Sequence, residues 1–116
     1  MVFDSSTVGL STHRRVFKEN PDQVRRVLRA LIRATRFISQ PSNETATVNS
    51  VVQWLRMSRD EAAGALRDVA FAYSDGLPRN EKVFWEGIAA RAKFLGSNVA
   101  PTEVADFSFA KEIRAK

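Results

Sequence analysis

The stretch between Asn20-Pro21 and Gln40-Pro41 constrains this chain more than any other feature. The residue before a proline is pushed out of the α region, so Asn20 marks a boundary. Pro21 suits the first turn of a helix, where its missing N–H is not needed, and Asp22 suits the positive end of the helix dipole. Pro41 ends the segment. Val24, Val27, Leu28, Leu31, Thr35 and Ile38 recur at steps of three and four and predict one apolar stripe. Arg25, Arg26, Arg29, Arg33 and Arg36 fall on the other side. A helix of this kind gains most of its stability by burying the stripe against something else.

The rest of the chain reads the same way. Ser6 to Ser11 is the one strand candidate, with weak alternation and a glycine that weakens it. Thr12 to about Glu19 is a short helix. A third helix runs from about Asn43 to Met57, with Val48, Val51, Val52 and Leu55 on its buried side and Trp54 flanking them. Ser58-Arg59-Asp60-Glu61 is a capping box that starts a fourth helix, whose stripe is Ala62, Leu66, Val69, Ala70 and Tyr73. Ser74-Asp75-Gly76-Leu77-Pro78 stops it. Asn80 caps a fifth helix to about Leu95, lined by Phe84, Ile88, Ala92 and Leu95 with Trp85 beside them, and Gly96 closes it. A short turn or helix follows at Thr102–Ala105, and Asp106 or Ser108 caps a last one. The expectation is a mainly α chain of five to seven helices with at most one short N-terminal strand.

With 116 residues the chain is one domain or part of one. It has no cysteine, which excludes disulfides, thiolate zinc sites and a cysteine nucleophile. Its apolar runs are a few residues long, too short to span a bilayer. The start, Met1-Val2-Phe3-Asp4, has neither the basic nor the apolar region of a secretory signal, so the chain as written is expected in the cytoplasm. The net charge of +5 is local. Residues 13–38 hold eight basic and two acidic side chains, and the remainder holds ten and eleven. An explanation of the basicity must therefore concern this segment.

No constellation of catalytic type emerges. His13 is the one histidine, beside Arg14 and Arg15, and reads as a surface residue at a helix start. Asp60/Glu61 and Glu103/Asp106 are explained by helix ends. The five glycines have no phosphate-loop spacing. No metal site, no cofactor and no enzyme activity is expected. The arginine face of Arg25, Arg26, Arg29, Arg33 and Arg36 is the remaining candidate. Its simplest reading is a solvated helix face. It also suits docking on an acidic protein, on a membrane surface or, less well, on nucleic acid, since no aromatics interleave the arginines.

The run from Val8 to Ile38, through Phe17-Lys18-Glu19-Asn20-Pro21-Asp22, resembles the C-terminal part of ABC-importer substrate-binding proteins of the nitrate/sulfonate/taurine/thiamine-precursor type. Ser58-Arg59-Asp60-Glu61-Ala62, the stop at Ala72 to Pro78, and Val104-Ala105-Asp106-Phe107-Ser108-Phe109-Ala110 fit the same pattern in the same order. The resemblance covers nearly the whole chain. It implies that residues 1–116 form a single region, a partial domain corresponding to the C-terminal third of such a protein, namely the terminal helices of lobe one of a two-lobed α/β fold. It also implies capture of a small organic solute, delivery to a membrane permease, and a periplasmic or extracytoplasmic location. Val8, Gly9 and Leu10 would belong to the hinge, and Ser5, Ser6 and Thr7 would lie near the cleft. Helices shaped to cover a sheet would leave apolar surface open to self-association. The alternative is a small basic helical adaptor or nucleic-acid-binding regulator.

Overall fold

The computed structural model describes residues 10–69 and 77–116. The described chain is mainly helical, and no strand occurs among the described residues. The helices are α1 (Arg14–Glu19), α2 (Pro21–Ile38), α3 (Glu44–Leu55), α4 (Arg59–Val69), α5 (Glu81–Phe94), α6 (Pro101–Val104) and α7 (Ser108–Arg114), with a 3-10 turn at Pro41–Asn43. Most of the strand candidate, Ser6 to Gly9, lies outside the described residues, as do Ala70, Tyr73 and the segment 74–76. Leu10 and Ser11 have irregular backbone.

Local signals set the helix ends. His13 Nδ1 accepts the amide of Arg15 at 3.1 Å and caps α1. Asn20 closes α1 by donating its amide to the Val16 carbonyl, and α2 starts at Pro21. The capping box is reciprocal: the Ser58 hydroxyl accepts the Glu61 amide at 3.3 Å, and the Glu61 carboxylate accepts the Ser58 amide at 2.9 Å. Asn80 Oδ1 accepts the Val83 amide at 3.1 Å at the start of α5. Gly96, at φ 63°, follows the end of α5 in the left-handed region that favours glycine. The cap position of α7 is Phe107, so neither Asp106 nor Ser108 is the cap itself; Asp106, one residue earlier, accepts the Ser108 amide on its carboxylate at 2.8 Å. One end differs from the sequence pattern. α3 stops at Leu55 because Arg56 turns into the left-handed region, at φ 54°.

Contacts divide the chain into two compact units, and the division falls within α2. The first draws on the described residues up to Arg29 and on those after 76. Here α1, the start of α2, α5 and α7 meet through aromatic rings. Phe17 stacks on Phe109 with centroids 4.7 Å apart. Phe84 and Trp85 each lie edge-on or tilted to Phe107, at 5.1 and 5.4 Å. Ala110 is the buried residue of α7. Glu81 joins the elements by accepting from Lys111 Nζ at 2.9 Å and Trp85 Nε1 at 3.3 Å.

The second unit holds the end of α2, the 3-10 turn, α3 and α4. Val48, Ala62 and Leu66 form its core, with Ile38, Val51, Val52 and Ala63 packed against them. Ala62 has no exposed surface, which lets α4 approach α3 closely. Asn43 ties the turn to the end of α2 by donating to the Phe37 carbonyl at 3.1 Å and to Gln40 at 3.0 Å.

Two buried sides differ from the periodicity. On α2, Val24 and Ile32 are buried, while Val27 and Leu31 are 43% and 45% exposed. The buried sector is turned toward the side that carries Arg25. On α3, Val48 is buried but Leu55 is 66% exposed and Trp54 80%. Among the described residues the stripe of α3 is covered around Val48, by α4 and by Ile38 at the end of α2, and that cover does not reach Leu55.

Candidate functional site

The arginines of α2 separate into two groups. Arg25 is half-buried and turned inward. Its Nε donates to Glu112 at 3.1 Å, its Nη1 donates to Asp22 at 3.0 Å, and its guanidinium carbon sits 4.2 Å from the centre of the Phe109 ring. A planar guanidinium between a carboxylate fork and an aromatic face is a preferred geometry for arginine. The Glu112 carboxylate is the main reason that Arg25 holds its proton even more firmly than usual; Arg25 in turn is the main reason that the Glu112 carboxyl lies below its ordinary range. Arg25 is therefore a structural link between α2 and α7. Its charge is matched by Glu112 and Asp22, which sets it apart from the other arginines of the helix.

Arg26, Arg29, Arg33 and Arg36 are exposed, and none forms an ion pair among the described residues. Their spacing of three, four and three residues keeps them within a sector of about 80° and spreads them over about 15 Å of helix axis. The counter-charge for this stripe is absent from its own helix, whose one carboxylate, Asp22, is taken by Arg25. Arg15 differs again, lying 3.8 Å from Glu19 on α1.

The other candidates resolve simply. Ser5, Ser6, Thr7, Val8 and Gly9 lie outside the described residues, and Leu10 is exposed. Glu61 is held below its ordinary range by the Ser58 hydroxyl, and Asp106 by Ser108, so one carboxylate of each pair serves a helix end. Among the described residues no group of three or more histidine, cysteine or acidic side chains could hold a metal ion. A shallow, open depression lined by Ala89, Ala92, Lys93, Gly96, Ser97 and Val99 gathers no set of acid, base and nucleophile. No described helix is long and apolar enough to cross a membrane.

Sequence reasoning missed the inward role of Arg25. Nothing in the local spacing distinguishes Arg25 from Arg26; the distinction needs the position of Glu112, 87 residues away. No protein-family model matches this chain, and no curated protein or solved structure matches it either.

Proposed function

We propose that the chain is the C-terminal helical part of an ABC-importer solute-binding protein for a small organic solute of the sulfonate, taurine, nitrate or thiamine-precursor class. In this reading it performs no catalysis. It works on the outer side of the membrane, and it passes solute to a permease. The reading rests on the motif order in the sequence. Support from the fold comes from one observation: the helices carry large apolar side chains that the described residues do not cover. Trp54 and Leu55 at the end of α3 are 80% and 66% exposed, and Phe94 and Leu95 at the end of α5 are 89% and 75% exposed. Among the described residues no large side chain is fully buried. Paired exposures of this kind mark surfaces that another element covers, and a sheet-bearing remainder of a solute-binding protein would supply it.

The test has two titrations. This chain alone is titrated calorimetrically with taurine, an alkylsulfonate, nitrate and a pyrimidine thiamine precursor. No micromolar binding is expected, because one set of helices does not build a cleft. The same solutes are then titrated into the chain co-expressed with the polypeptides encoded beside its gene. Micromolar binding of one solute is expected there. Binding by this chain alone refutes the partial-domain reading, and no binding in either case refutes the solute reading.

A second reading, a basic helical adaptor or nucleic-acid-binding regulator, is favoured by Arg26, Arg29, Arg33 and Arg36 of α2, which form no ion pair among the described residues. Gel retardation across a salt series separates the two: a retarded duplex at physiological salt, lost steeply as salt rises, supports the second.

A further inference from the structure

We infer that the exposed side of α2 is a docking face for an anionic lipid bilayer. The inference rests on α2 alone and is independent of the solute-binding reading. Val24, Leu28, Ile32 and Thr35 occupy the buried and half-buried side. What remains outward falls into two adjoining sectors. One is the arginine stripe of Arg26, Arg29, Arg33 and Arg36. The other holds Val27, Ala30, Leu31, Ala34 and Phe37, all exposed. Their spacing places these five within about 120° of the helix circumference, beside the arginines. Phe37, 46% exposed, lies next to the stripe.

A partner must satisfy both sectors at once. A phosphate backbone meets the arginines but has nothing to offer Val27, Leu31 and Phe37. An anionic bilayer meets both. An amphipathic helix lying in the interface sinks its apolar sector to the level of the acyl boundary, while long cationic side chains reach back to the headgroup phosphates. The complementarity is also one of charge. The four arginines have no carboxylate partner among the described residues, so docking neutralises them without breaking an ion pair.

Co-sedimentation with vesicles tests this. The full chain is mixed with vesicles of equimolar phosphatidylglycerol and phosphatidylcholine, and with vesicles of phosphatidylcholine alone. Sedimentation with the anionic vesicles only, reversed by salt, is expected. The double variant R29Q/R33Q is expected to lower the partition coefficient about 25-fold, at roughly fivefold per arginine near such a surface. Leu31→Ser with Phe37→Ser weakens binding while retaining its salt dependence. Lys82→Gln with Lys93→Gln removes the same net charge from α5 and leaves binding unchanged. Far-UV circular dichroism establishes that each variant keeps its helix content. The inference is overturned if neutral vesicles bind equally, or if the α5 variant loses as much as the α2 variant. It is also overturned if the chain retards a DNA duplex or binds an acidic polypeptide but leaves the vesicles alone.

Discussion

Leu55 and Leu66 are equivalent in the sequence pattern, each completing the apolar stripe of its helix, and the structure separates them. Leu66 is 9% exposed in the core of Val48 and Ala62, whereas Leu55 is 66% exposed at the end of α3. Full burial of a leucine side chain is worth about 1.5–3 kcal/mol. Truncating it to alanine adds a cavity term, and measured costs run from about 2 to 5 kcal/mol. The core around Leu66 is small, so its neighbours can partly close the gap, and about 2–3 kcal/mol is expected for Leu66→Ala. Leu55→Ala removes surface that water already reaches. Alanine is also the best helix former, so this change is expected to fall within about 0.5 kcal/mol of neutral. The assay is urea unfolding followed by far-UV circular dichroism on both variants and the parent chain. Against a stability of about 0.05–0.15 kcal/mol per residue, the Leu66 loss is large enough to displace the midpoint clearly. Equal losses at the two sites would refute the assignment of the core to the α3–α4 crossing. A neutral Leu66→Ala would refute the core itself.

Other expectations follow from the helix ends and the carboxylates. Arg56→Gly is expected to stabilise by about 1 kcal/mol, because Arg56 sits at φ 54° where a Cβ is unfavourable, and Gly96→Ala to destabilise by a similar amount at φ 63°; thermal melts of both variants check the pair. Ser58→Ala removes the cap of α4 and is expected to cost about 1 kcal/mol in urea unfolding. Glu81 is held below its ordinary range chiefly by Lys111, Glu112 by Arg25, Glu61 by the Ser58 hydroxyl and Asp106 by Ser108. A carboxyl that binds its proton less tightly folded than unfolded stabilises fully above its unfolded value, about 4, and loses that contribution as pH falls through its lower folded value. The urea midpoint is therefore expected to hold from neutral pH down to about 5 and to decline below about 4. Arg25→Gln should flatten the Glu112 part of that decline; an unchanged profile would remove Glu112 from the account.

Local chemistry fixed the helices, and it was legible in the residues. Asn20-Pro21, the Ser58–Glu61 box, Asn80 and Gly96 each act within a few residues, so their effect on the backbone needs no knowledge of the rest of the fold. The arginine stripe was legible for the same reason: once α2 is a helix, Arg26, Arg29, Arg33 and Arg36 must share a sector. The end of α3 was not legible, since an arginine in the left-handed region leaves no mark in the sequence. Which side of each helix is covered was not legible either. Periodicity marks an apolar sector, but the edge that is buried depends on where the neighbour crosses. α4 crosses α3 at Val48 and leaves Leu55 in water. Glu112 and Phe109 draw Arg25 inward, while Val27 on the same helix is 43% exposed. Contacts across 87 residues of chain cannot be read from spacings of three and four, and the one to Glu112 sets Arg25 apart from the arginines that stay available for a partner.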